Sequence, residues 1–236
     1  MSDISALQLE CRFSLITNSL GYCGRASAKT KLRKCILNGD CQGVCEEVKK
    51  FIPLYSYLTT IAEITGLSPF SYEVIESYWI GNDLLRKVKP EDYNLLLENF
   101  EKQGVPDFLI EELRQNKPKV FIPTHLFQVL HVGVGRATGS VPFNMDSINN
   151  CMIRWGEVEK INKNKINVNL NSLKKNGGNY KLISKQEPIN FDKEITPNIK
   201  VHDIVAVHWK LPVKILNFEE EEQHRFWNKE ILKSLS

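Results

Sequence analysis

Hydrophobic residues in this chain follow two different periodicities that meet near Gly133, and that change limits the fold more than any motif does. From about Ala28 to Val134 the spacing is helical. Between Cys41 and Gly66, the residues Val44, Val48, Phe51, Ile52, Tyr55, Leu58 and Ala62 approach the i, i+3, i+4, i+7 spacing of one buried helix face. Pro53 should kink or split that run, and Gly66 with Pro69 ends it. Val74, Ile75, Tyr78, Trp79, Leu84 and Leu85 repeat the pattern. Pro90 suits the first turn of a further helix, EDYNLLLENFEKQ, Pro106 opens DFLIEELRQN, and THLFQVLHV offers one more short helix. Residues 1–140 are expected to form an all-helical domain of roughly four to six helices.

After Gly133 the pattern alternates. GVGRATGSVPFN, rich in glycine and small residues, reads as a linker or interdomain turn. CMIRWGEVEKI and KINVNLN alternate around a tight turn at Asn162-Lys163-Asn164, NYKLISKQ is a weaker strand, and VHDIVAVHWKLPVKIL holds the strongest β segment. Strands this short point to a small OB-like β-barrel over residues 141–236. The tail FEEEEQHRFWNKEILKSLS reads as a terminal helix, with glutamates at its positive end and Lys229 and Lys233 toward its negative end. The expected class is α+β, a helical domain followed by a small barrel and a C-terminal helix.

Charge excludes some functions. Lys and Arg number 31 against 28 Asp and Glu, a formal net charge of +3, which argues against a life spent on a polyanion. Apolar runs such as FIPLYSYL fall far short of the ~20 residues a membrane span needs. MSDISALQLECRF lacks a basic patch followed by a long apolar stretch. A soluble cytoplasmic protein with no membrane partner is expected.

In that compartment the six cysteines, at positions 11, 23, 35, 41, 45 and 151, can be buried thiols, metal ligands or a reactive thiol. Cys41 and Cys45, four apart, would share a helix face. Together with Cys23 and Cys35 they could hold zinc or an iron–sulfur cluster. The run lacks the C-x2-C knuckle of such motifs, so buried cysteines are the better reading. Cys23 is the exception, because Gly21 and Gly24 let the backbone beside it approach a ligand closely. His125 and His131 lie six apart and do not share a helix face, although one of them could meet Cys23 across the fold. No G-x-S-x-G, H-E-x-x-H or Walker lysine is present, GVGRATG lacks the strand and helix of a phosphate loop, and Glu111, Glu112 and Glu219 to Glu222 read as solvated charge. No catalytic residue stands out, and a non-enzyme is expected.

The run Cys151-Met-Ile-Arg-Trp-Gly-Glu-Val-Glu-Lys-Ile, the segment Val201-His-Asp-Ile-Val-Ala-Val-His208 and the acidic FEEEEQ helix occur in an order and at a spacing that resembles the HypC/HupF family of nickel–iron hydrogenase assembly chaperones. Trp155 stands where that family has proline, His202 where it has glycine, and Cys151 is internal where the family's cysteine is N-terminal. The whole chain also resembles an uncharacterised prokaryotic family, through LGYCG, YWIGNDLL and the C-terminal part, whose members accompany nickel–iron hydrogenase genes. The first resemblance implies an accessory protein for hydrogenase maturation. Cys151 would ligate an iron that carries carbon monoxide and cyanide, with His208 behind it and Cys23 as a weaker metal candidate. Partners would be the hydrogenase large subunit or other maturation proteins, met through Trp155, Trp209, Phe226 and Trp227 on the barrel and terminal helix. Two alternatives stay open. One is a metal or iron–sulfur protein on the N-terminal cysteines. The other is a nucleic-acid-binding barrel using Lys160 to Lys181 with Trp155, Tyr180 and Trp209, which the near-neutral charge and acidic tail disfavour.

Overall fold

In the computed structural model, which describes residues 3–235, helices come first, then an antiparallel sheet, then a terminal helix. Helix α1 (Ile4–Ser19) starts at Asp3, whose side chain accepts from the Ser5 N–H. It lies upstream of the expected helical stretch because it carries no amphipathic stripe. Ala6, Leu7, Leu9, Glu10, Cys11, Phe13, Ser14, Leu15 and Thr17 are all buried, so the helix is enclosed by the rest of the fold. Helix α2 (Ala28–Asn38) ends at a left-handed Gly39. The run expected as one helix divides into α3 (Val44–Val48) and α4 (Ile52–Thr65), with Pro53 in the first turn of α4.

Helix α5 (Tyr72–Trp79) stops at Gly81, which has φ +95°. A Cβ there would stand 2.4 Å from the Trp227 ring, so the terminal helix packs where only glycine fits. Helices α6 (Tyr93–Lys102) and α7 (Asp107–Gln115) follow their prolines as expected. The short α8 (His125–Phe127) runs directly into a π-helical turn, Gln128–Gly133, a distortion frequent at functional sites.

Helix α9 (Met145–Cys151) precedes β1 (Arg154–Asn162), β2 (Lys165–Asn176), β3 (Asn179–Asn190), β4 (Ile204–His208) and β5 (Leu211–Ile215). Cys151 therefore ends a helix and does not begin a strand. The strongest β segment of the sequence is a hairpin, β4–β5, reversed by Trp209 and Lys210 with φ +46° and +59°. The strand order is β3-β2-β1-β4-β5, and the sheet does not close into the expected barrel. Closure needs edge strands of compatible length and stagger, whereas β3 has 12 residues and β5 has 5.

One face of the sheet joins the helices in a continuous core that includes Phe13, Trp79, Trp155, Leu173, Ala206 and Trp227. Val158, Ile166, Val168, Leu170, Val205 and Val207 make a smaller second core. Helix α10 (Phe218–Ser234), opened by an Asn217–Glu220 capping box, straddles the junction. Its His224 lies 2.9 Å from Ile80 O of the helical part and 3.0 Å from Ile153 O beside β1. Trp155 and Trp227 are thus core residues, not partner contacts on the surface. Among the four side chains expected to meet a partner, Trp209 is half-buried and Phe226 is exposed. Among the described residues no helix is long and apolar enough to cross a membrane.

Candidate metal centre

Cys151 and His208, paired in the sequence reading, meet at the seam between helices and sheet, and His125 joins them. One donor atom from each of the three lies within 4.8 Å of the others. Cys151 Sγ is 3.7 Å from His125 Nε2. A tetrahedral ion with bonds of about 2.3 Å to sulfur and about 2.0 Å to nitrogen separates such donors by about 3.5 Å.

Separate elements deliver each residue. His125 follows Thr124, whose hydroxyl caps α8. Asn149 binds the backbone of Leu173 through both its amide groups, which docks α9, and thus Cys151, on β2. His208 ends β4, and the following residue, Trp209, donates its backbone N–H to Asn150 O at 2.8 Å. A tryptophan in a left-handed turn position that suits Asn or Gly is strained. It is held there by that bond and by the Tyr22 ring, whose centroid lies 4.5 Å away.

His208 is oriented as a ligand usually is, and His125 reaches that state by a change of tautomer. His208 Nδ1–H donates to Phe13 O at 2.8 Å, which leaves the Nε2 lone pair buried with no donor to meet it; the nearby Cys151 O, itself an acceptor, cannot supply one. Burial lowers the His208 pKa to about 4, so near neutral pH the ring carries no proton on Nε2. His125 Nδ1 is 2.9 Å from the Tyr78 hydroxyl, and Nε2 is 2.8 Å from Cys151 O. As drawn, Nε2–H donates to that carbonyl and Nδ1 accepts from Tyr78. Ligation through Nε2 requires the other tautomer, with Nδ1–H donating to the tyrosine oxygen. Burial and the neighbouring His208 hold His125 well below the ordinary histidine range, so both rings are neutral, the form that binds metals.

The Cys151 thiol is pushed up, first by burial and then by Cys23, while the Trp209 indole N–H pulls the other way. Left to itself the group stays a thiol. A bound cation would hold the thiolate. Trp79 covers the cluster from the helical side, with its ring 4.6 Å from His125 and 5.7 Å from His208, and its N–H donates to the buried Glu10 at 2.7 Å.

The cluster forms one wall of a cavity of about 300 Å³, whose other walls include Phe51, Leu54, Val129, Val134 and Gly135. The glycine-rich segment expected as a linker is packed here instead. A Cβ on Gly135 would stand 2.1 Å from Val141 O. Cys23 also lines the cavity, in the loop between α1 and α2. Asn18 holds that loop by donating to Cys23 O and Arg25 O. Gln128, which is 7% exposed, turns an unpartnered amide oxygen inside the same enclosure.

The remaining N-terminal cysteines are elsewhere. Cys35 and Cys41 form a disulfide, and Cys11 is a buried thiol in α1, its pKa raised first by burial and then by Glu10 and Cys45. Cys23, Cys35, Cys41 and Cys45 are therefore not gathered as one set of four thiolates. His125 is the residue the sequence reading left aside. Its helical spacing from His131 carried no signal, because its partners come from α9 and β4. His131 pairs with Tyr93 at 2.9 Å.

The chain belongs to a family described as a family of unknown function (DUF6390), whose model matches residues 5–235. No curated protein and no solved structure matches it.

Proposed function

We propose that this protein is a metal-binding accessory protein that holds one borderline-soft transition-metal ion on Cys151, His125 and His208 and passes it to a partner. The observation that carries the reading is the His208 Nε2 lone pair, which is buried, unpartnered and aimed into a cluster with a thiol and a second neutral imidazole. Burying an unsatisfied polar atom costs about 1–3 kcal/mol, and a metal bond is what this donor set would offer in return. One thiolate with two imidazoles suits iron or zinc. The resemblance of the C-terminal third to hydrogenase assembly chaperones favours iron, with carbon monoxide and cyanide as its other ligands, and the hydrogenase large subunit as recipient. An enclosure with largely apolar walls suits small ligands that project from such an ion.

The test is anaerobic isolation from a host that makes a nickel–iron hydrogenase, followed by metal analysis and infrared spectroscopy. About one iron per chain is expected, with bands of metal-bound carbon monoxide and cyanide that disappear in Cys151→Ala. A well-folded protein with no bound metal of any kind, before or after incubation with iron or zinc, would sink the reading. Zinc alone would keep the site and remove the hydrogenase role.

A further inference from the structure

We infer that Cys23 is a fourth ligand of this centre whenever the ion carries no diatomic ligands, brought in by the Gly21–Gly24 loop, so that such an ion is closed off between two thiolates and two imidazoles. The inference rests on the three-residue metal site proposed above and deepens it.

Placement is the first support. Cys23 lies on the wall of the same cavity as Cys151, His125 and His208. It stays outside the group whose donors lie within 4.8 Å of one another, so it must move inward to bind. The backbone permits this. Gly21 has φ +75° with nothing within 4 Å of where a Cβ would be, and Gly24 has φ +69°. Gly21, in open space, can change its dihedral angles, whereas Gly24 is packed against the Phe51 ring and is the fixed end of the loop. Asn18 bonds to Cys23 O and Arg25 O, while the thiol meets the Thr17 side chain and would leave it to bind the ion.

Charge is the second support. An ion that arrives without anionic ligands of its own, such as zinc, keeps a net positive charge beside one thiolate and two neutral imidazoles in a largely apolar enclosure, which is costly without a counter-charge. Lys50, on the cavity wall, is itself cationic and is already paired with Glu47 at 3.0 Å. Glu10 reaches the cluster only through the Trp79 N–H. A second thiolate makes the centre neutral, and Cys23 is the remaining thiol on the cavity wall.

The exchange balances simply. The Cys23 S–H proton goes to solvent as the sulfur–metal bond forms and a bound water leaves. When the ion is handed on, that bond breaks, the thiolate takes up a proton, and a donor from the recipient fills the position. Cys23 is in this way the ligand of entry and exit, while Cys151 and the two histidines form the seat.

The experiment is X-ray absorption at the zinc edge, using the full chain with the Cys35–Cys41 disulfide intact and loaded with zinc alone. Two sulfur and two nitrogen neighbours are expected in the wild type. In Cys23→Ser, one sulfur should remain with the zinc still bound, and zinc should pass faster to a competing chelator. One sulfur in the wild type overturns the role of Cys23 and leaves the three-residue site standing. No bound zinc overturns the role of Cys23, and if iron does not bind either, the three-residue site falls as well. More than two sulfurs overturns both readings by placing the ion on the N-terminal cysteines. The wild-type count decides the matter even if the variant fails to fold.

Discussion

The Tyr78 hydroxyl lies 2.9 Å from His125 Nδ1, on the imidazole nitrogen that does not face Cys151. Tyr78 is itself buried in α5 and packed edge-on against Trp79. A hydrogen-bond partner on the remote nitrogen sets the tautomer and the ring orientation of a metal-ligating histidine. Tyr78→Phe removes only an oxygen and leaves the ring in place. Zinc affinity should fall about 10- to 100-fold, with one ion still bound per chain, as measured by chelator competition. Unchanged affinity would mean that His125 is not a ligand or needs no such support.

Glu10 supplies a pH signature. Burial raises its pKa from 4.5 to about 7, against the hydrogen bonds from Ser14 and Trp79, which lower it. The fold therefore favours the protonated acid. Its stabilising contribution is complete below pH 4.5 and is lost as pH rises through 7, a difference of roughly 3 kcal/mol. Glu10→Gln should remove that dependence and be the more stable protein at pH 8. Urea unfolding at pH 5 and pH 8 checks it, and an equal pH dependence in both proteins would count against a buried acid at this position.

Buried histidines act in the opposite sense. His131, hydrogen-bonded with Tyr93, is lowered by burial to about 4. Its contribution is present above the ordinary value of 6.5 and is lost as pH falls from there toward 4. His125 and His208 are lowered too, and by the same main cause. Stability should decline over this range in spite of the gain from Glu10, and His131→Leu should decline less steeply. A variant curve parallel to the wild type would refute the assignment.

Gly24 and Gly21 separate two costs of a side chain in the Cys23 loop. At Gly24 a Cβ would come within 2.3 Å of the Phe51 ring, which is 2% exposed and cannot withdraw. At Gly21 there is open space, and only the positive φ resists. Gly21→Ala should cost about 1 kcal/mol. Gly24→Ala should cost at least about 2 kcal/mol, because strain and overpacking add. Thermal unfolding of the two variants compares them, and equal losses would show that the Phe51 contact is soft.

Several parts of this arrangement were legible from residue order alone. The helix-to-strand change, the break at Pro53, the stop at Gly66 and the terminal helix all follow from local chemistry, and the structure has each of them. The pairing of Cys151 with His208 came from a family resemblance, and the two do meet. What escaped depends on neighbours distant in the chain. Helix α1 has no stripe because it is buried on most sides. The β4–β5 turn is Trp-Lys, where a two-residue hairpin would announce itself with Asn-Gly, and its shape is held by Tyr22 and Asn150. His125 became visible as a donor only once Cys151 and His208 had been folded against it.

The bond from His208 Nδ1 to Phe13 O joins the fourth strand to the first helix, and it sets an order of events during synthesis. Residues from Phe13 through Cys151 leave the ribosome before the imidazole that completes the cluster exists. Until the last hairpin arrives and docks, a nascent chain has Cys151 and His125 without His208. On the proposed reading, the full set of three donors therefore exists only in a chain made through β4.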